Sequence, residues 1–293
     1  MQLISYISKS GNVGDDLNDW LWPKVFGEKF LTARQDTAFF GIGSILIKDS
    51  HFVERAHQFP KKIIFGTGLR SINEYIELDE SWELYFLRGP FGSLKLTNDS
   101  SHFISDGAYF IMLLPEYQSY LKEPKKYPIS FVPYFQSIEK INWKKICDKM
   151  GWHLILPTLD VDTFIKEIAA SEQVVSEAMH GAIFADILRV PWKRFRFYAH
   201  HYEGEQVSEF KWNDWLFSIE HFKNEFMEAR LKKDKGLYKF YKRRSRLKNE
   251  KHILEAFRNH ENVDFSLSSK LVVSRMISEM EKAKSKLVAY LNS

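Results

Sequence analysis

Residues 174–192 read VVSEAMHGAIFADILRVPW, which is the order of a strand, a helix cap, a helix and the start of a second strand. Ser176 is placed as the N-cap of the helix. Met179, Ile183 and Ile187 recur at i, i+4 and i+8, which predicts one buried helix face. A strand that leads through a helix to a second strand is the repeating unit of a parallel sheet, so this stretch predicts an α/β fold.

The same alternation of strands and helices extends along the first two thirds of the chain. Short β-rich runs occur at residues 3–7, 37–40, 62–65, 84–87, 129–133, 153–156, 174–175 and 194–197. Polar and proline-bearing residues at 115–128 are the expected linker. The pattern predicts a domain at 1–118, a second at 125–212 and, because strand patterns stop near Trp212, a helical C-terminal part at 213–293. The length of 293 residues also permits a single domain.

Composition excludes several classes of protein. The single cysteine, Cys147, rules out an internal disulfide framework, and its place in a helical pattern predicts a core thiol. The chain offers no apolar run long enough to span a bilayer, and its first residues carry no charged leader. We therefore expect a cytoplasmic protein that does not span a membrane.

A glycine-bearing loop, Gly11-Asn12-Val13-Gly14-Asp15-Asp16, follows the opening strand and precedes a helical pattern. Such a loop exposes backbone N–H groups at the positive end of a helix, which suits an anion or a sugar hydroxyl. The alternative is that Asp15 or Asp16 only caps the helix, with Asn12 still lining the site. Glycines also follow the next strands, at Gly41-Ile42-Gly43, Gly66-Thr67-Gly68 and Arg88-Gly89. As a set they predict a site at the carboxyl edge of a parallel sheet.

Glu177 and His180 are spaced three residues apart in the quoted stretch, which would place both on one face of the first helical turn. The free N–H groups of that turn can hold a phosphate or a carboxylate, and Gly181 would let a ligand approach the backbone closely. The alternative is a structural histidine, because a lone histidine in a helix more often packs than reacts.

These motifs, together with Leu87-Arg88-Gly89-Pro90-Phe91-Gly92-Ser93, resemble those of the polysaccharide pyruvyltransferases, particularly the bacterial exopolysaccharide and capsule branch. The resemblance covers about residues 1–200, and its most specific element is Ser-Glu-x-x-His-Gly. It implies two Rossmann-like domains in an arrangement similar to the GT-B glycosyltransferases, with a helical C-terminal tail. It also implies transfer of pyruvate from phosphoenolpyruvate to two hydroxyls of a sugar, as a ketal, with release of phosphate.

The resemblance also implies roles on the donor side. His180 is expected to be the general acid and base, with Glu177 and the helix terminus tuning its protonation, and Arg88 to act with them. Arg88 and Arg70 would bind the donor's carboxylate or phosphate. Ser176 and Gly181 would line the same donor site. Many relatives carry an arginine where this chain has Ala178, so one of the two arginines would have to supply that charge.

On the acceptor side, the expected residues are Asn12, Asp15, Asp106 and Tyr134. Asp106 is a further carboxylate that would position the acceptor diol, and Tyr134 stands near a position where many relatives have a histidine. No metal or other cofactor is required by this chemistry. His200 and His201 are adjacent and would diverge on a strand, so they do not predict a metal site.

A basic segment runs from Arg230 to Lys251, with eleven Lys and Arg against two acidic residues, in a chain whose formal net charge is +4. Its interleaved aromatic residues suit an interfacial helix on anionic lipid of the inner leaflet, where a lipid-linked oligosaccharide acceptor would be met. The alternative is a solvated helix face. No recognised reader motif accompanies the charge, so nucleic acid is not the expected partner.

Two other functions stay open from the sequence. A nucleotide-sugar glycosyltransferase would share the fold but would need contacts for a base, a ribose and a diphosphate. A non-catalytic glycan-binding or assembly protein would also use the 8 Trp and 13 Tyr of the chain, which stack well on sugar faces.

Overall fold

The structure of the chain is a computed structural model that describes residues 1–8, 11–232 and 239–293, and of residues 239–244 only the backbone. Internal contacts divide it into two units. The first unit comprises Met1–Gln118, Glu209–Asn224 and Ser268–Ser293, and the second comprises Ser119–Ser208 and Glu225–Leu267. The first change of unit falls inside the polar stretch 115–128.

The elements alternate along the chain as follows. The strands are β1 (Gln2–Ile4), β2 (Thr37–Phe40), β3 (Lys61–Phe65), β4 (Trp82–Phe86), β5 (Tyr127–Val132), β6 (His153–Leu154), β7 (Ser171–Ser176), β8 (Trp192–Arg196) and β9 (Phe226–Glu228). The helices are α1 (Val13–Phe26), α2 (Phe30–Ala33), α3 (His51–Ala56), α4 (Pro90–Thr97), α5 (Tyr117–Tyr120), α6 (Trp143–Met150), α7 (Val161–Ala169), α8 (Met179–Ile187), α9 (Tyr198–Glu203), α10 (Glu205–Ser218), α11 (Lys239–Arg258) and α12 (Lys270–Asn292).

The first unit is built on a parallel sheet in the order β1-β2-β3-β4. Every residue of β2 is buried, as expected of a central parallel strand covered on both faces. The ring of Trp22 in α1 meets Phe39, Phe65 and Phe110 edge-on, at centroid distances of 5.3–5.6 Å. This aromatic cluster holds α1 on the sheet. The loop before α1 leaves the end of β1 and therefore lies at the carboxyl edge.

The second unit has a parallel sheet in the order β6-β5-β7-β8-β9. The chain passes from β5 to β6 on one side and then crosses to β7 on the other side. Because such crossovers are right-handed, α6 lies on one face and α7 and α8 on the opposite face. The sheet therefore has a topological switch point between β5 and β7.

The sequence predicted the parallel α/β class correctly, and β2 was placed at its observed bounds. The expectation that strands stop near Trp212 was wrong, because β9 pairs in parallel with β8 at the sheet edge. A three-residue strand among charged residues has too little pattern to recognise. Residues 213–293 are consequently shared between both units. His200 and His201 lie in α9, not on a strand as expected.

Cys147 lies on the buried face of α6, in the core as predicted, and burial raises the pKa of its thiol to about 12. Within the described residues, every helix is too short or too polar to cross a membrane.

Candidate functional site

Three segments meet at the carboxyl edge of the second sheet, and two of them carry expected site residues. Tyr134 follows β5, Glu177 follows β7, and Tyr198 opens α9 just after β8. The loops after β5 and β7 lead to helices on opposite faces of the sheet. Open α/β sheets bind their ligands at such a switch point, outside the carboxyl ends of the strands.

The carboxylate of Glu177 is the point where these three segments meet. One oxygen accepts hydrogen bonds from the backbone N–H of Tyr134, at 2.9 Å, and from the hydroxyl of Ser137, at 3.1 Å. The other accepts from the backbone N–H of Tyr198, at 2.6 Å, and of Ala199, at 3.0 Å. Glu177 is 2% exposed, so its carboxylate is a buried clamp that holds the loops together.

The expected helix geometry of Glu177 was wrong. Strand β7 extends through Ser176, which pairs with Val132, and α8 begins only at Met179 with Ala178 as N-cap. Glu177 therefore lies outside the helix and shares no helical face with His180. Ser176 is not the N-cap either, since its hydroxyl donates to the carbonyl of Ala178 at 2.6 Å.

Burial raises the pKa of Glu177, and the hydrogen bonds from Tyr134, Ala199, Ser137 and Tyr198 oppose that rise. All of these groups donate, so they fit an acceptor-only carboxylate. The arrangement makes Glu177 a positioning residue for the loops of the edge.

We expect Glu177→Gln to lower the free energy of unfolding by about 1–3 kcal/mol. The amide nitrogen must face one side of the clamp, which leaves at least one buried backbone N–H without an acceptor, since the Ser137 hydroxyl can still donate to the carbonyl of Tyr134. Urea unfolding measures the loss, and Glu172→Gln on the exposed side of the same strand is the matched control. Equal stability of the two variants would contradict the clamp.

His180 is the second residue of α8 and is half-buried at the start of the helix. The role expected for Gly181 was wrong. A Cβ atom on Gly181 would lie 2.3 Å from the Ser176 hydroxyl and 2.9 Å from a methyl of Val132, so the glycine allows α8 to pack on β5 and β7. Residues Gly181 to Ile187 are buried on every side, not on one face as predicted.

Arg88 at the end of β4 does not fit the donor-binding role that the sequence suggested. Its guanidinium is 0% exposed and forms an ion pair with Asp214 of α10, at 3.1 Å. It also donates to the Ser44 hydroxyl at 2.7 Å and to the carbonyl of Leu69 at 3.0 Å. Arg88 is therefore a buried structural group that joins β4, two edge loops and α10.

Two glycines of the predicted edge loops make room for this ion pair. A Cβ on Gly68 would lie 2.4 Å from the Arg88 guanidinium carbon, and one on Gly89 would lie 1.9 Å from the Asp214 carbonyl oxygen. The carboxylate of Asp214 meets Arg88 with its Oδ2 atom. Its Oδ1 atom accepts hydrogen bonds from the N–H groups of Phe91, at 3.0 Å, and Gly92, at 2.9 Å. Asp214 thereby caps the start of α4, where a negative charge is favourable.

Arg70, the other expected donor-binding cation, is accessible. Its side chain is 44% exposed and lies 3.8 Å from the Glu74 carboxylate.

In the loop before α1, the structure shows the capping alternative for Asp16. Asn12 is the N-cap residue of α1, and its backbone N–H donates to the Asp16 carboxylate at 3.2 Å. The Asn12 side-chain amide donates to Asp15 at 2.6 Å. Asp16 thus serves the helix end, while Asp15 is half-buried beside the N-cap.

Burial raises the pKa of Asp15 to about 7. The hydrogen bond from Asn12 and the charge of Lys211 oppose this rise, and the charge of Asp16 adds to it. Asp15 is therefore a carboxyl group that can gain and lose a proton near neutral pH.

The raised pKa gives a testable pH dependence. The folded chain retains the Asp15 proton to about pH 7, whereas the unfolded chain releases it near the ordinary value of 3.8. The contribution of Asp15 to the free energy of unfolding is therefore largest below about pH 3.8, and it is lost as the pH rises towards 7. We expect Asp15→Asn to gain stability over wild type as pH rises from about 4 to about 8. Melting temperatures measure this gain, with the exposed Glu28→Gln as a control that should stay level; a gain independent of pH would contradict the shift.

Asp106 was wrongly expected to face the acceptor. Its side chain is 1% exposed, and one oxygen accepts from the N–H of Ala108 at 2.9 Å. It caps the 3-10 helix Gly107–Leu113 inside the first unit. Within the described ranges, His, Cys, Asp and Glu side chains form no group of three or more that could hold a metal ion.

Sequence reasoning missed the partners of the two buried charges. Asp214 lies between Trp212 and Trp215 and is followed by further large apolar residues. A carboxylate in such a stretch is expected to be buried and therefore to need a cation or hydrogen-bond donors inside the protein. Ser137 and Ala199 gave no comparable signal, because they meet Glu177 only through the fold.

Comparison with known proteins connects this site to a family. The sequence model of the family described as polysaccharide pyruvyl transferase matches residues 9–192. The succinoglycan biosynthesis protein ExoV of Rhizobium meliloti is 33% identical over 214 residues, which is 72% of this chain and 63% of that protein. The chain thus matches less than two thirds of the length of this relative.

Among solved structures, the wall teichoic acid polymerase TagF aligns over 96% of this chain and 88% of its own, with 11% identity and a TM-score of 0.33. The family match includes the strand β7, Glu177 and the whole of α8. On the strength of that match, the chain belongs to the polysaccharide pyruvyl transferase family.

Proposed function

We propose that the chain transfers pyruvate from phosphoenolpyruvate to two hydroxyls of one sugar of an exopolysaccharide precursor, as a ketal, and releases phosphate. Membership of the family supports the reaction class. The likeness to a protein named for succinoglycan biosynthesis supports a polysaccharide as the acceptor. The observation that carries the proposal is the position of His180, in the first turn of α8 at the switch point of a parallel sheet.

The reaction requires a proton for the methylene carbon of the donor and removal of a proton from each attacking hydroxyl. One sugar hydroxyl adds to the adjacent carbon, phosphate leaves, and the second hydroxyl closes the ring. A positioned imidazole can deliver and accept these protons, and we assign this role to His180. Glu177 acts through the loops that it holds and does not contact the substrate.

The donor carries a carboxylate and a phosphate, so its site needs positive groups. The start of α8, beside His180, is the positive end of a helix, where an anion is favoured. Arg70 is the cation that we retain for the donor, since Arg88 is fully enclosed. Asn12 and Asp15 remain our candidates for the acceptor hydroxyls, and the proton that Asp15 exchanges near neutral pH suits that task.

Donor choice tests the proposal. The purified chain is incubated with membrane-extracted lipid-linked oligosaccharides and either phosphoenolpyruvate or a set of nucleotide sugars, and released phosphate and nucleotide are measured. Phosphate release from phosphoenolpyruvate that depends on the oligosaccharide is the expected result. Release of a nucleotide would indicate a glycosyltransferase, and no turnover of any donor would indicate a glycan-binding or assembly protein.

We also propose that the basic segment docks on anionic lipid at the cytoplasmic face of a membrane, where a lipid-linked acceptor is reached. Residues 233–238 lie outside the described residues, and for 239–244, which include Lys242, Arg243 and Arg244, the backbone of α11 alone is described. The Arg246 side chain is 47% exposed and lies 3.5 Å from Glu250. The excess of cations supports an anionic partner.

Neutralising Lys242, Arg243, Arg244 and Arg246 to Gln is expected to weaken binding to anionic vesicles. At about 1 kcal/mol for each cation near the surface, the loss is roughly 10²- to 10³-fold. Flotation with phosphatidylglycerol vesicles measures it, and Lys282→Gln with Lys284→Gln in α12 is the control. Equal binding of the wild type to anionic and to neutral vesicles would contradict the docking role.

A further inference from the structure

Tyr134, Tyr198 and Tyr202 form an aromatic cluster at the carboxyl edge of the second sheet. The rings of Tyr198 and Tyr202 are 6.1 Å apart and close to parallel, at 16°. The ring of Tyr134 lies 6.3 Å from that of Tyr202. Tyr202 is 58% exposed, whereas the other two rings are half-buried. The cluster therefore presents an aromatic surface to solvent from the loop after β5 and from α9.

One buried group holds the cluster in place. The backbone N–H groups of Tyr134 and Tyr198 both donate to the carboxylate of Glu177. Tyr202 lies one turn beyond Tyr198 in α9, on the same helix face. The backbone at Tyr134 and Tyr198 is thus set before any ligand arrives, and positioning that is prepared in this way lowers the entropy lost on binding.

We propose that Tyr134, Tyr198 and Tyr202 form a stacking platform for a pyranose ring of the acceptor. The faces of the rings suit the apolar C–H face of a sugar, and their hydroxyls can exchange hydrogen bonds with sugar hydroxyls at its rim. Three rings make too small a patch for a protein partner, which needs about 800 Å² on each side. The identity of the sugar as the acceptor rests on the proposed function.

Direct binding tests the platform without the donor. Saturation-transfer NMR of the full chain with methyl β-glucoside, methyl β-galactoside and methyl α-mannoside measures sugar binding. We expect at least one glycoside to bind, and Tyr202→Ala to weaken it by roughly three- to tenfold, the size of one aromatic contact. Tyr202→Phe keeps the ring and should retain most of the binding. Phe222→Ala, at another exposed aromatic residue, is the matched control and should bind as wild type.

Three results would overturn the platform. The wild type does not bind any of the glycosides, Tyr202→Ala binds them as well as wild type does, or the tyrosines bind uridine and none of the three glycosides. Turnover separates this proposal from the reaction itself. If phosphoenolpyruvate is consumed but the acceptor KM of Tyr202→Ala equals that of wild type, the platform fails and the reaction stands. If no donor reacts but Tyr202→Ala loses glycoside binding, the reaction fails and the platform stands.

Discussion

Arg88→Met is expected to lower the free energy of unfolding by about 3–5 kcal/mol, because it leaves a buried carboxylate without its cation. Asp214 is 0% exposed, and its remaining partners are the N–H groups of Phe91 and Gly92. Burial already raises the pKa of Asp214, and Arg88 opposes that rise. Without Arg88 the carboxyl binds a proton more readily, so the loss of stability should be smaller at pH 5 than at pH 8.

Urea unfolding measures this cost, and the chain offers a matched control. Arg70→Met removes an arginine that is 44% exposed, with its carboxylate 3.8 Å away, so its cost should not exceed about 1 kcal/mol. Adding Asp214→Asn to Arg88→Met should recover part of the stability, because the amide oxygen can still accept from the start of α4. Equal costs for the two arginines would show that Arg88 is not the structural cation described above.

His180→Gln is expected to lower kcat by about 10²- to 10⁴-fold, the usual effect of losing a positioned acid and base. Glutamine keeps a polar side chain of similar reach but cannot exchange the proton. The melting temperature should change little, since His180 is only half-buried at the helix end. The pH profile of the residual activity should also lose one limb.

His57→Gln, at an exposed histidine in the first unit, is the control for the rate and should keep wild-type kcat. The account of His180 fails if its glutamine variant folds and retains full activity. A variant that loses activity only through unfolding is distinguished by its melting curve.

Most of the fold could be predicted from the sequence, because buried parallel strands leave continuous apolar runs. Strand β2 is the clearest example, since all of its residues are buried. Strand β9 left no such run, because an edge strand of three residues buries only Met227. The start of α8 was misplaced because Ser176 and Glu177 look like a helix cap, while sheet pairing with β5 extends the strand through Ser176.

The candidate site shows the same limit. Sequence spacing identified His180 and Glu177 but gave Glu177 the wrong neighbours, because its four donors come from residues 21–43 positions away. The partner of Arg88 is 126 positions along the chain, so no local pattern reveals that the guanidinium is enclosed. Asp106 was misassigned for a related reason. A carboxylate that caps a helix and one that faces a substrate can both stand just after a strand and before a glycine, so the local sequence does not tell them apart.

The most direct test of the central claim is the mass of the acceptor after reaction with phosphoenolpyruvate. The account predicts a gain of about 70 Da for the reaction in H2O, and about one unit more when the reaction runs in D2O and the products are returned to H2O before measurement, because solvent supplies the proton for the methylene carbon and that C–H bond does not exchange back. Mass spectrometry of the oligosaccharides measures both values. A gain equal to a whole sugar residue, or no extra unit in the product formed in D2O and returned to H2O, would contradict the account.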